Sequence, residues 1–275
     1  MNRTTEIKND AFVVREKYKA GWEMWALLMS DEHFDSTLCD RKLLKRHHDE
    51  ALEKNAIIFK FGDVFDCMGG KWDKRSTKED IRPEYQKANY FDLIKKDAAS
   101  FYAPYRNNIG MITMGNHELS ILQRHEIDLI SSLGESLGCH VGKYSGFIRF
   151  QFERESGGMR RSFILYYTHG SGGGAPVTKG VIKNNRRQHT IDADIYVSGH
   201  IHTGTIQPRP KVYLNEQCVA KQKEPEHIIL GAYKNEFMQG GWADTKEFDP
   251  AVLGGVWLRF YYERGEVQLE VKRAK

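Results

Sequence analysis

The segment Ser198-Gly199-His200-Ile201-His202-Thr203-Gly204 follows directly on an apolar run and sets two imidazoles one residue apart. In an extended chain residues i and i+2 point to the same side, so both rings can reach one site. Four other apolar runs end in a comparable way. Asp31-Glu32-His33 follows Leu27–Ser30, and Gly62-Asp63-Val64-Phe65-Asp66 follows Ile57–Phe61. Gly115-Asn116-His117-Glu118 follows Met111–Met114, and His169-Gly170 follows Ile164–Thr168. Imidazole, carboxylate and amide oxygen without thiolate suit first-row divalent ions such as manganese, iron, nickel or zinc. Seven candidate ligands result: Asp31, His33, Asp63, Asn116, His169, His200 and His202. That is too many for one catalytic ion that keeps an open position. They suit two ions with one carboxylate shared between them. Glycine beside Asp63, Asn116, His169 and His200 eases the sharp turns that bring short side chains inward.

The elements that must hold these residues follow from apolar patterning. Strands are expected at "WALLMS" from Trp25, "AIIFKF" from Ala56, "IGMITM" from Ile109, "SFILYYT" from Ser162 and "ADIYVS" from Ala193. Ligands of open α/β sheets gather beyond the carboxyl ends of strands, where all five motifs lie. Between the first two strands, Leu43, Leu44, His47 and Leu52 recur at helical spacing, giving a βαβ unit. The stretch at about 68–104 reads as a helical insertion ahead of the third strand. Hairpins are expected to turn at Gly157-Gly158 and at Arg264-Gly265. Strands continue from about residue 210 to the end. The whole reads as one domain, 1–275, of mixed α/β type with more than one sheet.

The ordered set DxH, GDxxD, GNHE, HG and GHxH, running from Asp31 to His202, resembles the calcineurin-like metallophosphoesterase superfamily. The resemblance implies two packed mixed β-sheets flanked by helices, an α/β/β/α sandwich. It implies one ion on Asp31, His33 and His202, another on Asn116, His169 and His200, and Asp63 bridging them. Manganese is the first expectation for both ions, with iron, zinc, nickel or magnesium as alternatives. Two such ions bring four positive charges, of which Asp31 and Asp63 cancel two, leaving a centre attractive to a phosphate oxygen. A bridging hydroxide between ions about 3.5–4 Å apart is placed for in-line attack on phosphorus. By the same resemblance His117 protonates the departing oxygen or stabilises phosphoryl charge. Asp66 corresponds to the carboxylate that orients that histidine. Glu118 reads as an acid in the first turn of a helix. Glu32 and Asp35 read as ordinary loop charges. His47, His48, His125, His140, His189 and His227 lie outside the motifs and read as solvent-facing or core histidines.

Composition bounds the rest. The 275 residues carry 41 basic and 37 acidic side chains, a formal charge of +4, too mild to argue for nucleic acid by itself. The four cysteines are scattered and form no CxxC pair, so neither a zinc finger nor a disulfide framework is expected and most read as buried thiols. The start, MNRTTEIKND, is polar with no apolar signal region behind it, and no run is long enough to span a membrane. A cytoplasmic setting without membrane contact is expected, and no protein partner can be read. Lys179, Lys183, Arg186 and Arg187 form a basic cluster that reads as either an anion clamp or a solvated helix face. Together with Lys71, Lys74 and Arg75 they are candidate phosphate contacts for a nucleotide or nucleic acid. Trp72 and Tyr85 can stack on bases or pack against the domain. Protein phosphatases of this superfamily typically follow GDxxD with Arg-Gly, and an arginine lies near GNHE. Here Cys67-Met68-Gly69 and Leu119-Ser120 stand there, against phosphoserine proteins as substrate. The DNA-end nucleases often carry histidine at the position of Asp66, and a larger capping domain, and this chain has neither. The expected activity is hydrolysis of a phosphodiester or phosphomonoester. The alternatives are a nuclease acting on DNA or RNA, and a scaffold without catalysis on the same fold, for which lost ligands would be expected.

Overall fold

All five apolar runs that end in candidate ligands are strands in the computed structural model of the chain, which describes residues 3–67, 80–172, 180–235 and 252–275. The first strands are β1 (Thr4–Lys8), β2 (Ala11–Tyr18) and β3 (Glu23–Met29), followed by helix α1 (Arg41–Glu53) and β4 (Ile57–Phe61). Helix α2 (Tyr90–Tyr102) leads to β5 (Ile109–Thr113), α3 (Asn116–His125), α4 (Leu129–Leu137) and β6 (His140–Gly142). The long hairpin of β7 (Ser145–Arg154) and β8 (Arg160–Thr168) precedes α5 (Val181–Thr190) and β9 (Ile195–Ser198). Short strands follow: β10 (Thr205–Pro208), β11 (Lys211–Leu214), β12 (Ala220–Lys223) and β13 (Glu226–Ile229). A last hairpin joins β14 (Val256–Glu263) to β15 (Glu266–Arg273).

These strands form two large mixed sheets. One has the order β1-β2-β7-β8-β9-β13-β10 and the other β15-β14-β3-β4-β5-β6, with β11-β12 a separate two-stranded ribbon. In the second sheet β3, β4, β5 and β6 run parallel, so the carboxyl ends of β3, β4 and β5 share one edge. In the first, β8, β9 and β13 run parallel and end at that same side of the molecule, as the bonds from His169 Nδ1 to the Phe61 carbonyl and from Tyr233 N–H to the Asp31 carbonyl show.

Burial on both faces is what makes these runs strands. In β3, Ala26 and Leu28 point into the space between the sheets, while Leu27 and Met29 point to the helices, and none is accessible to solvent. A parallel strand covered on both faces is apolar at nearly every position. The inter-sheet core is rich in rings, with Phe59, Phe61, Phe150, Phe152 and Phe260 all buried. Each such side chain contributes about 1.5–3 kcal/mol on burial. The outer core packs Leu44 of α1, Ile94 and Tyr102 of α2 and Leu133 of α4 against Ile58 and Ile112. With α5 outside the other sheet, the layers are helix, sheet, sheet, helix, the expected sandwich.

Within the expected insertion, residues 68–79 lie outside the described residues, with Lys71, Trp72, Lys74 and Arg75 among them. The remainder is helical: a short turn at Pro83–Tyr85, then α2. Tyr85 is buried and bonded to Arg41 and Asp97, so it packs against the domain and offers no stacking face. Cys39 and Cys67 are buried thiols, Cys139 is half-buried and Cys218 is exposed. Among the described residues, no helix is long and apolar enough to cross a membrane.

Three of the remaining histidines are core residues. His47 bonds to the Tyr233 hydroxyl at 2.8 Å, His48 donates to the Leu44 carbonyl at 2.7 Å, and His227 stacks on Tyr196 at 4.5 Å. Burial, aided by nearby Arg46, pushes His47 down from 6.5 to about 4. Burial and then Arg209, Arg187 and Lys211 do the same to His227, also to about 4, and burial lowers His48 too. Between those values and the ordinary one the unfolded chain binds protons that the folded chain refuses. Their contribution to stability is therefore complete above the ordinary histidine value and is lost as pH falls through the window. Thermal unfolding should show a Tm that declines on acidification across this range, and His227→Phe should flatten the decline. An unchanged slope in that variant removes His227 from the effect.

Candidate metal centre

Four of the five motifs leave their strands through left-handed turns, GNHE being the exception. Asp31, His33, Asp63, His200 and His202 have φ of 55°, 47°, 50°, 73° and 53°, so five of the seven candidate ligands occupy a region that non-glycine residues rarely adopt. Residues held there cost of order 1–3 kcal/mol each and persist only where surrounding structure over-determines them. Cross-loop backbone bonds supply that constraint. Asp31 N–H donates to the Gly62 carbonyl at 3.1 Å, His33 N–H to the Asp63 carbonyl at 3.0 Å and Phe34 N–H to the Val64 carbonyl at 2.8 Å. The two loops thus cross-brace like a miniature ladder. Gly62 is required within it: its φ is 89°, and a Cβ there would lie 2.6 Å from both Gly115 Cα and His169 Nδ1.

The GHIH segment departs from the extended geometry expected of it. Ile201 N–H donates to the Gly199 carbonyl at 3.0 Å, closing a γ-turn on His200. The two imidazoles accordingly join different groups. His202 falls with Asp31 and His33, while His200 falls with Asp63 and His169. In each trio the potential ligand atoms lie within 4.8 Å of one another, and a third trio, His33, Asp63 and His117, links the two. Asp63 belongs to two of the three. Asn116, at the first position of α3, brings its Oδ1 to 2.9 Å from His169 Nε2. All seven candidate ligands therefore converge at one end of the two sheets.

Charge in this pocket is unbalanced. Asp31, Asp63 and His169 are essentially inaccessible to solvent. Both nitrogens of His169 face acceptors: Nδ1 donates to the Phe61 carbonyl at 2.9 Å, and Nε2 lies 3.1 Å from Asp63 Oδ2. Burial works against a charged ring, yet Asp63 and Asp31 raise its pKa to about 10. Burial likewise opposes ionisation of Asp31, but His202 and His169 hold it down at about 2, and Asp63 is held well below the usual range by His169 and His117. His33 Nδ1 is engaged by Asp66 at 2.8 Å, and its buried Nε2 has no hydrogen-bond partner among the described residues. A buried nitrogen lone pair beside carboxylates that draw protons onto neighbouring rings fits a cation ligand set.

His117 sits at the edge of the pocket with 14% of its side chain exposed. Its Nδ1 donates to the backbone carbonyl of Asp66, and the Asp66 carboxylate is 3.7 Å away. The Asp66 backbone carbonyl anchors this ring, and the carboxylate expected to orient it is engaged more closely by His33 and by Lys234 Nζ at 3.2 Å. Of the basic cluster, Lys179 lies outside the described residues. Lys183 donates to the Ser171 carbonyl, two residues past His169. Arg186 is exposed on α5, and Arg187 is turned toward Tyr166 on the outer face of the sheet.

Several residues around the pocket escaped sequence reasoning. Glu32 and Asp35 are not loop charges but fully buried. Glu32 binds Lys60 Nζ at 2.6 Å and the Tyr102 hydroxyl, and Asp35 accepts from the amides of Asp66 at 2.6 Å and Cys67 at 3.1 Å and from Tyr90. Glu118 is more than a helix first-turn acid. It accepts from Gly115 N–H at 2.9 Å, Asp63 N–H at 3.2 Å and Phe65 N–H at 2.8 Å, clipping the GNHE loop to the GDVFD loop. Burial, with Asp63 nearby, raises its pKa to about 7. The signal was GNHE itself, where an acid three residues after a helix start can cap it.

No protein-family model and no curated protein sequence matches the chain. Solved structures that are similar include a conserved uncharacterized protein from Streptococcus pneumoniae, described as a predicted phosphoesterase. It has a TM-score of 0.34 and 12% identity, covering 92% of this chain and 91% of that one. A metallophosphoesterase from Sphaerobacter thermophilus overlaps with a TM-score of 0.34 and 15% identity, over 92% and 89% of the two chains. Vacuolar Protein Sorting 29 from Cryptosporidium parvum overlaps with a TM-score of 0.35 and 14% identity, over 92% and 98%.

Glu118→Gln gives a direct check of the clip. An amide keeps one acceptor oxygen where two serve three N–H donors, so its NH₂ must face a donor. The variant is expected to lose about 1–3 kcal/mol in denaturant unfolding. Unchanged stability would mean the three bonds are dispensable.

Proposed function

We propose that this chain is a two-metal phosphoesterase of the calcineurin-like type. The observation that carries the reading is the buried pair Asp31 and Asp63, whose side-chain partners among the described residues are imidazoles, in a pocket where the buried Nε2 of His33 has no hydrogen-bond partner among those residues. Asp31, His33 and His202 would hold one divalent ion, Asn116, His169 and His200 a second, and Asp63 would touch both. When bound, such a pair, manganese by preference, lowers the pKa of a shared water and polarises a phosphoryl oxygen.

The protein's own groups do the rest. His169 Nδ1 donates to the Phe61 carbonyl, which aims Nε2 into the pocket. His33 Nδ1 donates to Asp66 to the same effect. His117, anchored at Nδ1, lies with Nε2 3.7 Å from Asp63 Oδ2, at the more open side of the pocket. There it delivers the Nε2 proton to the departing oxygen, or as imidazolium stabilises the phosphoryl charge. The substrate is a phosphodiester or phosphomonoester. A nucleic-acid substrate is the alternative, supported by Lys183, whose ammonium bonds to Ser171 two residues past His169.

Protein loaded with Mn²⁺ should hydrolyse bis-(p-nitrophenyl) phosphate or p-nitrophenyl phosphate and bind two equivalents of metal by elemental analysis. His117→Ala should lose about 10²–10⁴-fold in turnover with both equivalents retained. Asp63→Ala should lose both, and His200→Ala one. Two tightly held equivalents in Asp63→Ala would sink the shared-carboxylate reading, and a metal-loaded but inert wild type would point to the scaffold alternative.

A further inference from the structure

We propose that Lys234 is a positioning residue for this centre, fixing Asp66 so that His33 presents a bare Nε2 to the pocket. Its functional meaning rests on the two-metal reading above. Lys234 comes from the segment that leaves β13, and the main chain on each side of it is pinned. Tyr233 N–H donates to the Asp31 carbonyl at 2.9 Å and Asn235 N–H to the Leu38 carbonyl at 3.0 Å. The backbone that carries the lysine is thereby built into the loop that carries two candidate ligands. Its side chain is 7% exposed and reaches both oxygens of Asp66, at 3.2 and 3.3 Å.

Asp66 Oδ1 also accepts from His33 Nδ1 at 2.8 Å, and the carboxylate is 1% exposed. A buried carboxylate is tolerable only when compensated, and the ammonium supplies that compensation. A carboxylate locked opposite Nδ1 keeps the proton on that nitrogen and the lone pair on the other, which is what a ligating histidine needs. Without the lysine, the carboxylate loses the contact that sets its rotamer, and ring and tautomer lose their anchor. Its two contacts with the Asp66 carboxylate are the route by which Lys234 acts on His33.

The test uses the full chain carrying ¹⁵N-labelled histidine. Imidazole NMR of chelator-treated protein reads the His33 tautomer, and calorimetric titration with Mn²⁺ reads each site. Wild type should carry the His33 proton on Nδ1. Lys234→Met should show a mixed tautomer and one Mn²⁺ site weakened about 10–100-fold, with the other retained. Lys234→Arg should restore both readouts. Lys234→Met with an unchanged tautomer and two wild-type affinities overturns the proposal. So does a wild-type His33 protonated on Nε2, which decides the matter even where Lys234→Met does not fold. A wild type that binds no Mn²⁺ defeats the two-metal reading, while the tautomer comparison still judges Lys234.

Discussion

Six carboxylates, those of Asp31, Glu32, Asp35, Asp63, Asp66 and Glu118, are buried at one end of the sheets with at most 1% of their surface exposed. Gathering so many negative charges away from water is the constraint that orders everything around them, since an uncompensated buried ion costs several kcal/mol or more. Four are satisfied by the protein in full view: Glu32 by Lys60 and Tyr102, Asp35 by two amides and Tyr90, Glu118 by three amides, Asp66 by Lys234 and His33. Asp31 and Asp63 each receive one backbone N–H, from His200 at 2.9 Å and His117 at 3.0 Å, and otherwise face rings. Amides, hydroxyls and ammonium groups therefore serve four of the six, and Asp31 and Asp63 are the two whose side-chain neighbours are imidazoles.

The satisfied four build the platform on which the other two stand. Lys60 illustrates the cost. It lies on β4 between apolar neighbours, is fully buried, and has its ammonium pushed down by burial against the pull of Glu32. Its charge sits 3.8 Å above the ring of Tyr102, so α2 is recruited to the underside of the Asp31 loop. Asp35 reaches the same helix through Tyr90. The helix ahead of β5 is thus wired to the strand-end loops by two hydroxyl-to-carboxylate bonds in addition to its apolar face.

Much of this was legible in the sequence where the signal is local. The strands that end in ligands, the helix between the first two and both long hairpins fall within a few residues of their expected places, because apolar period and turn residues lie side by side in the chain. The seven candidate ligand positions were legible for the same reason. The partners of Glu32, Asp35 and Asp66 were not, since Lys60, Tyr90 and Lys234 lie 28, 55 and 168 residues away and nothing local marks them. The His200 and His202 geometry was misjudged because period-two spacing implies a strand, whereas the γ-turn depends on backbone contacts with other loops. Strands β10 to β12 have four residues each and are mostly exposed, and they offer little alternation to read.

The placement of β14 beside β3 has a consequence for assembly. The strand bearing Asp31 and His33 at its end finds one neighbour, β4, about thirty residues onward, but the other only at Val256–Tyr261. Until that distant partner arrives, β3 has an open edge and its two candidate ligands hang from a half-made sheet. The half of the pocket encoded first is therefore the half completed last. Closing so long a loop is slow compared with forming the neighbouring βαβ unit.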